Sequence, residues 1–137
     1  MHKKSYYYKE CDSGIFGKVK RPLISIDVKT FDGTWLHLRD ILADTGADIS
    51  LLPRDIGELV VGDITQGKTL ELRGVVPYAK LIVFIHDVCF RVDDKEFIAP
   101  TAIAESNDVL PILGRVKSLD LFETVFDKGR KTTIIMK

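Results

Sequence analysis

The most informative segment of the chain is Ile41-Leu42-Ala43-Asp44-Thr45-Gly46-Ala47-Asp48-Ile49-Ser50. Three apolar residues precede Asp44, which predicts a buried strand that carries this carboxylate to the edge of the core. Gly46 lets the backbone turn sharply after the strand because it has no Cβ, and the Thr45 hydroxyl can lock that turn. Taken alone, Asp-Thr-Gly is also an ordinary turn sequence. The apolar lead-in makes Asp44 a candidate catalytic group.

The rest of the chain consists of short apolar runs separated by turn residues. Residues 23–28 alternate as a half-buried strand does, and Asp32-Gly33 predicts a tight turn into a second strand at 34–38. Further strands are predicted at 68–73, 79–85, 89–92, 96–99, 123–127 and 132–136. Only residues 116–122 have helical spacing. The pattern predicts an all-β fold, closed or sandwiched, with one short helix near the C-terminus.

Length and composition are those of one globular domain. The chain has 137 residues, of which 45% are hydrophobic and 29% charged. We therefore expect a single domain over residues 1–137, with residues 1–17 as an N-terminal extension. Twenty basic residues balance twenty acidic ones, so neither nucleic acid nor a membrane is expected as a partner. The basic, tyrosine-rich start of the chain leaves an RNA-binding arm open as an alternative.

The cysteines and histidines indicate no metal site. Cys11 and Cys89 lack a second cysteine or histidine at zinc-binding spacing, and the three histidines form no cluster with them. Free cysteines fit a reducing compartment, so a cytoplasmic location is expected. No apolar run approaches the ~18 residues of a membrane span, and no export signal is expected.

Two motifs together resemble those of a known family. The segment around Asp44 resembles the Asp-Thr-Gly active-site motif of aspartic proteases in its retropepsin form. The segment Leu110-Pro111-Ile112-Leu113-Gly114-Arg115 resembles the hydrophobic-hydrophobic-glycine signature of that family, with the arginine that follows it in retroviral proteases. The resemblance extends from about Lys18 to the C-terminus. It implies a retropepsin-like closed β-barrel, a homodimer, and hydrolysis of peptide bonds in a peptide or protein substrate.

The chemistry of this family requires two neighbouring carboxylates that share one proton. The ionised carboxylate takes a proton from the attacking water, the protonated one stabilises the developing oxyanion, and no metal or cofactor is needed. Asp12-Ser13-Gly14 is a poor second motif because Lys9-Glu10-Cys11, rather than an apolar strand, precedes it. We therefore expect the second carboxylate to be Asp44 of another copy, related by a two-fold axis.

The resemblance also assigns roles to the remaining site residues. Asp44, Thr45 and Gly46 form the catalytic turn, while Gly114 and Arg115 support it structurally, with Arg115 paired to Asp48. The residues expected to contact substrate are Ala47, Asp48, Ile49, Gly74, Val75, Val76, Leu110 and Ile112. For Leu110 and Ile112, core packing is an equally simple explanation.

The segment Gly74-Val75-Val76-Pro77-Tyr78 lies where the substrate-covering flap of the family should have its tip. Retroviral flap tips are rich in glycine, whereas this one has one glycine and a proline without an N–H. The altered flap leaves a second reading, a non-catalytic dimeric module that binds an extended peptide. The alternating residues 132–136 are expected to carry much of the association between subunits.

Overall fold

The computed structural model describes residues 2–73 and 80–136, and they form twelve strands and one α-helix. The first six strands are β1 His2–Tyr7, β2 Lys9–Ser13, β3 Gly17–Arg21, β4 Leu23–Lys29, β5 Trp35–Ala43 and β6 Ser50–Leu52. Helix α1 follows at Arg54–Val61. The other strands are β7 Lys68–Arg73, β8 Lys80–Val92, β9 Lys95–Ala104, β10 Ile112–Leu113, β11 Glu123–Asp127 and β12 Lys131–Met136.

Six strands close into a barrel in the order β4-β5-β10-β6-β9-β8, because β8 pairs back onto β4. Strand β7 extends the sheet outside β8. The alternation seen in the sequence fills the interior: Ile24, Ile26 and Val28 of β4 are almost fully buried, together with Phe90 of β8. The all-β class and the closed barrel are confirmed.

Strand β10 is the element that organises the barrel around the site. It lies between β5 and β6, parallel to β5 through Ile112 and Leu113, and antiparallel to β6. The ends of β5 and β10 therefore reach the same rim of the barrel, which brings Asp44 and Gly114 together although seventy positions separate them in the chain.

The first and last strands form a separate sheet in the order β1-β12-β11. Ile134 and Met136 of β12 are buried in the same core cluster as the barrel strands. One face of the alternating segment 132–136, formed by Thr132, Ile134 and Met136, therefore packs within the chain. Strands β2 and β3 form a hairpin of their own.

The prediction of a helix at 116–122 is wrong. The segment contains only a 3₁₀ turn at Leu119–Leu121, because Lys117 has a φ of 54° and Ser118 is also non-helical. The α-helix of the described residues is instead α1, which the sequence analysis did not predict. Helix α1 packs on β9, where a Cβ at Gly57 would lie 2.2 Å from Cγ2 of Ile103.

Candidate active site

The turn after β5 holds Asp44 through its backbone and its carboxylate. The Asp44 amide donates to the Leu113 carbonyl at 3.1 Å, and the Ala47 amide donates to the Asp44 carbonyl at 3.3 Å. The Gly46 amide donates to Oδ1 of Asp44 at 2.9 Å. The carboxylate is therefore oriented by its own turn, at the rim of the barrel, and is only partly buried.

A second loop locks onto this turn at Gly114. The Gly114 amide donates to Oγ of the buried Ser50 at 2.9 Å. A Cβ on Gly114 would lie 2.5 Å from the carbonyl carbon of Ile49 and 2.9 Å from the Ser50 nitrogen. Only glycine allows this approach. Ser50 is a site-supporting residue to which the sequence analysis assigned no role, although it is the last residue of the segment quoted around Asp44.

Backbone and side-chain contacts continue from Gly114 to Arg115. The Arg115 amide donates to the Ala47 carbonyl at 3.0 Å, and the Val116 amide donates to the Asp48 carbonyl at 2.9 Å. The Arg115 guanidinium lies 3.7 Å from Asp48 and 3.4 Å from Asp120. Because 86% of the Asp48 side chain is exposed, this ion pair contributes little to the stability of the single chain. Asp120 is a second acidic partner that the sequence analysis missed.

An apolar wall extends from the active-site loop to the hairpin of β7 and β8. Val83, Ala102 and Ala104 form its buried part, and Ile49 packs against it from the active-site side. The other residues that pack there are Leu51, Leu81, Ile85 and Val109. Ile49, which was expected to contact substrate, belongs to this wall. Leu81 and Val109 were not anticipated, because their proximity depends on how distant strands pair.

The other expected contact residues are distributed unevenly. Leu110 is exposed just before β10, and Ile112 is half-buried within it. Ala47 joins the site through its carbonyl. Gly74, Val75 and Val76, with the rest of the expected flap tip, lie outside the described residues.

The Asp12 carboxylate lies elsewhere, in the β2–β3 hairpin, where it pairs with Lys18 at 2.7 Å. In the described part of the chain, the Asp44 carboxylate makes one hydrogen bond, from Gly46, and shares none with another carboxylate.

No group of three or more histidine, cysteine, aspartate or glutamate side chains among these residues could hold a metal ion. None of the helices formed by residues 2–73 and 80–136 is both long and apolar enough for a membrane span.

A second polar cluster joins β4, β5 and β8 at a distance from Asp44. Asp27 accepts hydrogen bonds from His37 and Arg91, both at 2.8 Å, and the guanidinium lies 4.1 Å from the centre of the Trp35 ring. Partial burial raises the pKa of Asp27, but the hydrogen bonds from His37 and Arg91 outweigh it and lower the pKa overall. The cluster stabilises the β4–β8 pairing that closes the barrel.

The closed barrel, the Asp44 turn and the Gly114 loop together define a single-lobed domain of retropepsin-like fold. A solved structure agrees with this fold: a retropepsin-like aspartic protease from Rickettsia conorii has a TM-score of 0.62 at 14% identity, covering 98% of this chain and 95% of that one. EIAV protease complexed with the inhibitor HBY-793 has a TM-score of 0.48 at 21% identity, covering 77% and 88%. No family model matches the chain, and no curated protein matches it in sequence. The resemblance seen in the sequence is thus confirmed at the level of the fold.

Proposed function

We propose that this protein is an aspartic endopeptidase whose active site forms between two copies of the chain, each contributing Asp44. The observation that carries the proposal is the turn that holds the Asp44 carboxylate at the barrel rim, with no second carboxylate hydrogen-bonded to it in the described residues. An aspartic protease needs a proton-sharing pair. A second copy, related by a two-fold axis beside Asp44, supplies the missing group.

In the proposed mechanism the pair of Asp44 carboxylates holds one proton, since two like charges at that distance cannot both ionise. The ionised carboxylate removes a proton from a water molecule as the water oxygen attacks the peptide carbonyl. The protonated carboxylate donates to the carbonyl oxygen, which gains the electron pair of the broken π bond. Collapse of the tetrahedral intermediate then expels the amine with a proton from the pair.

The proposed substrate is an extended peptide held against the apolar wall. Ile49 follows Asp44 by five residues, and Leu81 and Val109 belong to the same partly buried wall. Their hydrophobic side chains support a preference for apolar side chains in the substrate. Peptides of this shape are commonly bound as an added strand, whose backbone supplies the affinity and whose side chains enter pockets.

The proposed two-fold interface includes β11 rather than residues 132–136. Strand β11 is one edge of the β1-β12-β11 sheet, and no strand of residues 2–73 or 80–136 pairs with its outer side. Phe126 of β11 and Thr45 line the same cavity of about 350 Å³. An unpaired edge next to the catalytic turn is suited to pairing with its counterpart, and that pairing would bring the two Asp44 turns together.

The test compares Asp44→Asn with Asp12→Asn as a matched control, using an unstructured peptide library at acidic to neutral pH. Asp44→Asn should abolish cleavage while the dimer persists, because the amide keeps its size but cannot act as the base. Asp12→Asn should cleave like the wild type. Full activity in Asp44→Asn would end the protease assignment, and peptide binding without cleavage by the wild type would support the binding module.

Dependence on the dimer is tested separately by dilution and by mixing. Specific activity should fall on dilution, as the dimer dissociates. In an equal mixture with Asp44→Asn chains, only about a quarter of randomly formed dimers carry two intact carboxylates. A monomer that keeps its specific activity on dilution would contradict the two-copy site.

A further inference from the structure

The β2–β3 hairpin is an arm that begins and ends at the active-site rim. Its first strand follows Tyr8, whose amide donates to the Arg130 carbonyl at 2.8 Å. Its second strand leads into Pro22, whose carbonyl accepts the Ala43 amide at 3.1 Å. Ala43 directly precedes Asp44. Within the described residues, β2 and β3 pair only with each other, so the arm extends beyond this rim rather than joining the barrel.

The tip of the arm presents two large apolar side chains in a fixed turn. Ile15 is 85% exposed and Phe16 is 77% exposed. The amides of both residues donate to Oγ of Ser13 at 3.3 Å, and Gly17 has a φ of +71°, which favours glycine. Apolar residues displayed on an ordered turn indicate a contact surface.

The charges of the arm do not form a basic surface for nucleic acid. Lys18 pairs with Asp12 across the hairpin at 2.7 Å, and Lys9 pairs with Asp40 of β5. Glu10 stands opposite Lys20 in the ladder. These charged side chains of the arm therefore lie opposite groups of the same chain, whereas Ile15 and Phe16 at its tip are exposed.

We propose that the arm clasps a second copy of the chain, with Ile15 and Phe16 seated on that copy's active-site rim. The inference rests on the proposed function, which places Asp44, and hence the root of the arm, beside the two-fold axis. Strands of five residues span about 17 Å, enough to pass from a root near the axis onto the partner.

A second copy suits this tip better than a substrate does. Two-fold symmetry would place the same surface before each arm, whereas substrates differ in sequence. Beside that rim, the β1-β12-β11 sheet exposes Phe126 on the face that lines a cavity with Thr45, and it exposes Tyr7 and Val125 on its other face. Each dimer would then be held by two identical arms, one from each copy.

The first measurement is the dissociation constant of the dimer, by sedimentation equilibrium, for the double variant Ile15→Ser, Phe16→Ser. We expect it to rise about a hundredfold, as for the loss of apolar residues central to an interface. Phe31→Ser is the matched control, since Phe31 is 76% exposed in the loop at the opposite end of β5 and should leave the constant unchanged. An unchanged dissociation constant of the dimer in the double variant would overturn the proposal that the arm clasps a second copy.

The second measurement locates the tip directly and does not depend on a destabilised variant. A photo-crosslinking benzophenone side chain replaces Phe16 in a ¹⁵N-labelled chain, which is mixed with unlabelled chain and peptide substrate. Crosslinks between labelled and unlabelled chains, at Tyr7 or in β11, support the arm. Crosslinks confined to the peptide, or to the chain that carries the probe, overturn it.

The outcomes of these experiments distinguish the proposal about the arm from the proposal of protease activity. A wild-type dimer that cleaves peptides, with a double variant that dimerises equally well, contradicts the arm alone. A wild-type dimer that depends on the tip but cleaves nothing contradicts the protease alone. A wild-type monomer contradicts the arm and the two-copy site together.

Discussion

Replacing Gly114 with alanine tests whether the two loops of the site are locked by close backbone contact. The new Cβ would lie 2.5 Å from the carbonyl carbon of Ile49, 2.6 Å from its oxygen and 2.9 Å from the Ser50 nitrogen. Carbon atoms pack best at about 3.5–4.0 Å, so the loops must separate by about 1 Å. All three obstructing atoms belong to the backbone, and no side-chain rotation can relieve the clash.

The loss of stability in this variant follows from the separation of the two loops. Overpacking of this kind costs about 1–3 kcal/mol, and stretching the 2.9 Å hydrogen bond between Gly114 and Ser50 adds about 0.5–1.5 kcal/mol. We expect the melting temperature to fall by on the order of 10 °C. A displacement of 1 Å in the Asp44 turn should also lower kcat/KM about a hundredfold.

Calorimetry and peptide cleavage on the folded variant measure the two effects separately. Gly14→Ala is the matched control, because a Cβ at Gly14 meets nothing within 4 Å, and its stability should change by less than about 0.5 kcal/mol. If Gly114→Ala melted and cleaved like the wild type, the loops could not be locked in the way described.

Three further predictions concern the framework of the site. Ser50→Ala leaves the Gly114 amide without its partner and should lower the free energy of unfolding by about 1–3 kcal/mol, measured in urea. Asp27 has a lowered folded pKa, so its contribution is complete above the ordinary pKa of 3.8 and is lost as the pH falls through the folded pKa. The stability difference between the wild type and Asp27→Asn should therefore narrow below pH 3.8. Deleting 132–137 removes the buried Ile134 and should unfold the chain, as circular dichroism would reveal.

For each of these predictions, a specific result would contradict the reasoning. Ser50→Ala at wild-type stability would mean that water replaces the hydroxyl without cost. A stability difference that stays constant through low pH would show that Asp27 acts by packing rather than by charge. A truncated chain that stays folded but monomeric would restore 132–136 as an interface segment.

The parts of the fold that could be predicted are those in which the decisive residues are neighbours in the chain. The β4–β5 hairpin follows from alternation on either side of Asp32-Gly33, and the β8–β9 hairpin from the turn at 93–95. Helix α1 was missed because it has only eight residues, and its packing on β9 depends on Ile103. The segment 116–122 was misjudged because its helical spacing is interrupted by the backbone of Lys117.

The sequence by itself determined that Asp44 sits on a sharp turn after a buried strand, because the apolar run, Thr45 and Gly46 act locally. The resemblance of residues 110–115 to a family motif also indicated that Gly114 lies near Asp44. Only the tertiary structure decided that β10 enters between β5 and β6, that Ser50 bonds to the Gly114 loop, and that β12 is internal rather than at the edge. These features depend on which distant segments become neighbours, and alternation within a strand says which face is buried but not what covers it.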